Sequence, residues 1–161
     1  MTDKLIVQEG NETILGMLQQ CVDAETSSRN LYFARSVFWR NVGLTKLADY
    51  YLTQSQEIHC QLSADRMAFL GRQPGMSPST MDAITEDQDV AEQYRVDLQV
   101  EVALADDYAS FIKVAEQAGD YVTRNVWQTV LASTQEHVDY LQGELNKLSL
   151  VGAENYLATW M

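Results

Sequence analysis

The stretch Val122–Leu150 reads VTRNVWQTVLASTQEHVDYLQGELNKLSL. Val126, Val130, His137, Leu141, Leu145 and Leu148 recur at spacings of three, four or seven, the period of one helix face. The stretch holds no proline, and its period-two content is negligible. It therefore predicts one long helix with a single imidazole on its inward stripe. Thr134 lies one turn before His137 on that stripe.

The same period extends outward through the chain. Val90, Tyr94, Leu104, Tyr108 and Phe111 mark a helix over about Asp89–Ala118. Leu15, Leu18, Val22, Tyr32 and Trp39 mark one from Asn11 to about Val42. Leu47, Tyr51, Ile58, Leu62 and Phe69 mark one over about Thr45–Leu70. A short fifth helix follows Gly152, around Ala153–Trp160. Both prolines, Pro74 and Pro78, fall in a Pro/Gly/Ser-rich connection, about Gly71–Gln88. Gly43 and Gly119 suit tight helix ends. Two tight hairpins joined by one long crossover predict an all-α, ferritin-like four-helix bundle rather than simple up-down-up-down. The expectation is a single domain over residues 1–161.

Composition excludes several classes. The chain has 161 residues, 11 Lys+Arg against 23 Asp+Glu, and a net charge of −12. Nucleic-acid binding needs clustered cations that are absent here, so no nucleic-acid partner is expected. Cations are favoured instead. No apolar run reaches the roughly 18–20 residues of a membrane span, and the first residues lack a secretory pattern. With two cysteines at no metal-type spacing, a reducing cytoplasm is the expected location.

Polar residues on the inward stripes are the candidates for chemistry. The first helix places Glu25 there. The third places Glu101, with Asp97 one turn earlier, and the fourth places His137. Inward carboxylates and imidazoles on facing helices suit iron, which takes hard oxygen ligands with a nitrogen donor. Taken singly, an inward Glu is more often an ion-pair member, and an inward His more often a satisfied core residue; the joint pattern carries the argument.

These residues resemble bacterioferritin, the haem-containing branch of the ferritin family, from about Leu15 to Leu157. The matching pieces are Glu25 with Leu31-Tyr-Phe-Ala-Arg35, Asn41-Val-Gly-Leu44, Asp97-Leu-x-x-Glu101, Gly119-Asp-Tyr-Val-Thr-Arg124, Glu136-His-Val-Asp-Tyr-Leu141 and Gly152-Ala-Glu-Asn-Tyr-Leu157. The resemblance implies a hollow cage of many subunits storing ferric mineral. It also implies an intrasubunit di-iron ferroxidase centre, and haem b held across a two-fold interface by one Met per subunit. The sequence departs from that pattern at the sites. Thr134-Gln-Glu-His137 stands where the family has Glu-x-x-His, so one bridging carboxylate is missing. Glu136 is adjacent to His137 and so points about 100° away.

Two registers compete in the second helix. Thirty-six residues separate Glu101 from His137, and the same step from Glu25 reaches Gln61. This ungapped register puts Ile58 at the bridging position and turns His59 outward, onto the site of the haem-ligating Met. The alternative, with two residues deleted, makes His59 an iron ligand, Gln56 the failed bridging residue and Glu57 the replacement for the haem Met. The ungapped register keeps the stripe continuous and is preferred. Neither register supplies a bridging carboxylate. The expectation is therefore an iron-storage cage subunit with a remnant metal site (Glu25, Glu101, His137) and His59 as haem axial ligand. Such a subunit would partner a second, ferroxidase-active subunit. The alternative is a di-iron oxidase using Glu25, His59, Glu101 and His137.

Overall fold

The computed structural model describes residues 11–75 and 89–161. Among these residues six helices follow in order: α1 (Glu12–Asn41), α2 (Thr45–Gln54), α3 (His59–Phe69), α4 (Val90–Gln117), α5 (Tyr121–Val151) and α6 (Ala153–Ala158). Three of them start on a side-chain cap. Asn11 accepts from the Thr13 amide, Asp89 from that of Glu92 and Asp120 from that of Thr123. Each cap satisfies a backbone N–H that the first turn leaves free.

The two tight turns are built alike. Gly43 and Gly119 sit at φ +90° and +70°, a conformation glycine adopts without a Cβ penalty. At the first turn the Leu44 amide reaches back to the Trp39 carbonyl (3.0 Å), and at the second the Asp120 amide reaches Ala115 (2.9 Å). These six-to-one bonds close the helix ends. Each turn therefore folds a long helix back on its predecessor. Tyr32 meets Tyr51, Thr26 meets Cys60, and Glu12 meets Arg72, so α1 runs antiparallel to α2 and α3. Phe111 meets Trp127 and Glu101 meets His137, so α4 and α5 are antiparallel too.

The pairs join through polar contacts between α1 and α4. Arg35 forms a buried ion pair with Asp97, Tyr32 donates to Glu101, and Tyr108 donates to Glu25. These contacts run in opposite directions along α1 and α4, so α4 lies parallel to α2 and α3. The end of α3 and the start of α4 thus lie at opposite ends of the bundle. That is the ferritin-like topology, with the short α6 packed on α5. The connection read from sequence as Gly71–Gln88 lies, from residue 76 onward, outside the described residues. Among the described residues no helix is long and apolar enough to cross a membrane.

One expectation about the fold is corrected. The second helix is not continuous; it stops at Gln54 and restarts at His59. Leu47, Ala48 and Tyr51 are buried on α2, and Cys60, Ser63, Met67 and Leu70 are buried on or just past α3. From Tyr51 to Cys60 is nine residues, about two and a half helical turns, so a straight helix would put the two on opposite faces. The break lets both half-helices face the core. Consequently Ile58 and Phe69, expected on the inward stripe, are 64% and 58% exposed.

The core forms two clusters. One holds Leu18, Val22, Cys60, Met67, Phe111 and Trp127; the other holds Trp39, Leu47, Tyr51, Tyr94 and Leu141. So α3 belongs to the first cluster and α2 to the second. The polar residues of the next section lie at the level of the break, between the two.

Candidate metal centre

Four segments converge on a small pocket of about 20 Å³, room for a water-sized occupant. Helix α1 contributes Glu25, the break and the start of α3 contribute Glu57 and His59, α4 contributes Glu101, and α5 contributes His137 and Thr134. His59 Nδ1 lies 3.6 Å from Glu25 and 3.4 Å from Glu57. His137 Nε2 lies 3.1 Å from Glu57, and its Nδ1 lies 3.6 Å from Glu101. The two imidazole centroids are 6.4 Å apart. One carboxylate, Glu57, touches both rings.

His59 therefore does not point outward, as the ungapped register required. The physical reason is the break: residues 55–58 leave the helix, and α3 restarts with His59 directed at Glu25. Gln61, which that register made a ligand, is exposed and bonded to Asp65, and Ile58 is not at a bridging position. The gapped register fares no better for Gln56, which is exposed. Glu136 is exposed, as its offset from His137 requires.

The carboxylates are oriented by tyrosines. Tyr32 donates to Glu101 at 2.7 Å, and Tyr108 donates to Glu25. Burial, reinforced by these carboxylates, pushes both phenols well above their ordinary range, so both remain protonated donors. Thr134 is buried and turns its hydroxyl back to the Val130 carbonyl (3.0 Å), leaving no side-chain charge at its position. Arg29 Nε donates to the Ser55 carbonyl (3.2 Å) and ties the break to α1.

The electrostatics follow from packing five ionisable groups together. Burial opposes charge on His137, but hydrogen bonds to Glu101 and Glu57 outweigh it and push the imidazole up to about 10. The Glu25 carboxylate raises His59. Burial resists ionisation of Glu57, yet His137 and His59 hold its carboxyl below the usual range. Among the described residues, no group of three or more such side chains is arranged to hold a metal ion as it stands. Instead the donors pair with one another, and a metal would compete with protons for the imidazole nitrogens. As a donor set, three carboxylates and two imidazoles match a divalent iron site.

A family model described as a ferritin-like domain matches residues 15–151. The chain belongs to the ferritin family. Its relatives within that family include "Bacterial ferritin" of Neisseria meningitidis serogroup B, 30% identical, with 92% of this chain and 96% of the relative covered. "Bacterial ferritin" of Synechocystis is 29% identical over 95% of this chain and 99% of the relative. "Bacterioferritin" of Streptomyces coelicolor is 28% identical over 94% and 90%. The resemblance read from the motifs is thus shown over most of the chain, and the chain sits in an iron-storage family.

The sequence placed Glu25, Glu101 and His137 on inward stripes, and His59 with them only in the gapped register, which gave Glu57 the haem Met position; the structure brings all five side chains to one pocket. Neither helical register turns Glu57 inward, because the break, not a helix face, aims it. No local signal announces the break, because the stripe Leu47, Tyr51, Ile58, Leu62 and Phe69 runs through it in the sequence.

Proposed function

We propose that this ferritin-family chain is an iron-storage subunit whose bundle core binds and oxidises Fe(II), using Glu25, Glu57, His59, Glu101 and His137. The observation that carries this is Glu57: its carboxylate lies within 3.4 Å of His59 and 3.1 Å of His137. A carboxylate between two nitrogen donors is the element both registers lacked. It can hold two ions together, one on the His59–Glu25 side and one on the His137–Glu101 side.

Iron is the cargo, and the protein's part is to bind it. Fe(II) competes with protons for the imidazole nitrogens, and the carboxylates neutralise its charge in a low-dielectric pocket. The tyrosine bonds hold Glu25 and Glu101 in place, so little reorganisation is needed when the ion arrives. Bound Fe(II) supplies the electrons for its own oxidation by a dissolved oxidant. Assembly into a cage, as the family suggests, would then place the ferric product in an enclosed volume.

A haem between subunits fits these residues poorly. His59 faces Glu25 instead of a neighbour, so the axial ligand named from sequence is not on offer there. Nor does the reading require a second, ferroxidase-active subunit, because Glu57 supplies the bridging group. The test is an anaerobic Fe(II) titration of the purified chain, followed by mixing with oxygenated buffer and recording ferric absorbance. The expected result is two Fe(II) per chain and rapid oxidation, both lost in Glu57→Ala. Oxidation at an unchanged rate in Glu57→Ala, or no core binding in the parent, would overturn the reading.

A further inference from the structure

We infer that Gln54 is a further oxygen ligand of the metal centre, supplied by the last residue of α2 where the helix breaks. The inference rests on the metal-binding reading above and adds a donor to it. Gln54 Oε1 is buried without a hydrogen-bond partner among the described residues, and Gln54 lines the same pocket as Glu57, His59 and His137. Leaving a buried carbonyl oxygen unpaired is destabilising. Three donors of the pocket wall are used elsewhere: Tyr32 is committed to Glu101, Arg29 Nε to Ser55, and the Thr134 hydroxyl to Val130. A cation in the pocket satisfies the oxygen directly.

The chemistry suits the place. Thr134 leaves the centre short of one oxygen donor on the α5 side. An amide carbonyl is a neutral, hard donor of the kind divalent iron accepts. It adds no charge to a pocket that already gathers three carboxylates, where a fourth would repel its neighbours in the metal-free state. The helix break matters here too. Gln54 ends α2 and Glu57 lies within the break, three residues on, so the same local feature that aims the carboxylate also ends α2 with its amide at the pocket wall.

Co(II) titration of the metal-free, full-length chain tests this, because its visible absorption reports the number and type of ligands. Gln54→Leu is expected to weaken one of the bound ions by roughly 10-fold and to change the Co(II) spectrum. Gln54→Glu, which returns an oxygen donor to the same place, is expected to recover the affinity lost in Gln54→Leu, with a spectrum distinct from that variant's. In metal-free protein, Gln54→Leu should melt no lower than the parent, because it removes an unpaired buried oxygen; a merely structural role predicts a lower melting temperature. If Gln54→Leu does not fold, Gln54→Asn withdraws the oxygen by one methylene and should give the same spectral change. A Gln54→Leu or Gln54→Asn spectrum and affinity equal to the parent's would overturn the inference. If Glu57→Ala then still abolished binding, the metal centre itself would stand. A parent chain that takes up no Co(II) would overturn both.

Discussion

The two helical hairpins solve the same problem differently. In the second, α4 and α5 run unbroken for 28 and 31 residues, and a single phase of the helical repeat carries both the core and the donors Glu101 and His137. In the first, α1 is equally long, but its partner splits into α2 and α3, and the donors Glu57 and His59 come from the seam. A regular helix delivers side chains only at the angles its period allows. A broken one can re-aim a carboxylate that no register would turn inward, at the cost of a few backbone hydrogen bonds. The difference teaches that the missing bridging groups of the sequence have unequal surroundings: Thr134 leaves no carboxylate on α5, while in the proposed centre Glu57 from the break stands in for the one on the split helix.

The largest expected effect lies on the unbroken side. Trp127 is fully buried against Phe111 at 5.4 Å. Trp127→Ala should destabilise the chain by about 3–5 kcal/mol, read from denaturant unfolding. The equivalent hydrophobic deletion in the seam, Ile58→Ala, should change stability by no more than about 0.5 kcal/mol, since Ile58 is largely exposed. Equal effects at the two positions would remove the contrast between the hairpins.

Metal binding should show the reverse bias. Glu57→Ala is expected to weaken divalent-ion binding by more than the roughly 10–100-fold typical of losing a supporting partner, while Glu136→Ala on the exposed face of α5 leaves it unchanged. Calorimetric titration of the two variants checks this. Smaller still is the tether of the seam. Arg29→Ala removes the bond to the Ser55 carbonyl and should cost about 1 kcal/mol of stability, with a several-fold loss in ion affinity and no change at α4 or α5 in amide exchange.

The pH dependence distinguishes the two imidazoles' surroundings. His137 is raised in the fold to about 10 from an ordinary value near 6.5. Its charge therefore contributes stability that is fully present below about pH 6.5 and is lost as pH rises through about 10. Metal-free parent protein should lose denaturant resistance over that window, and His137→Phe should flatten the loss. His59 is shifted in the same direction by Glu25, so a residual slope of the same sign should survive in His137→Phe.

How much was legible in the sequence follows the same division. On α4 and α5 the spacing of Tyr94, Glu101, Val130 and His137 set helix, face and site together, because one uninterrupted period links them. The Gly43 and Gly119 turns were legible because glycine alone takes their positive φ without strain. The split was not legible. No proline or glycine lies between Leu44 and Leu70, and Leu47, Tyr51, Ile58, Leu62 and Phe69 formed a plausible stripe through the break. The competing choice, Cys60, Ser63, Met67 and Leu70, won because it buries a thiol, a thioether and a leucine against Leu18 and Val22 while Arg66 reaches Asp120 and Thr123 at 2.8 Å. Those partners are distant in sequence, so no local pattern announces them.

The seam between the two core clusters has a thermodynamic consequence. With α2 anchored in one cluster and α3 in the other, the first hairpin is divided at mid-height into two units that can open separately. Glu57 and His59 sit on the seam, while Glu25, Glu101 and His137 sit on continuous helices that span it. An ion held by both sets would act as a rivet across that division. Loading the chain would then merge two local unfolding units into one, so amides on α2 and α3 that exchange at different rates in the empty protein would exchange together in the loaded one.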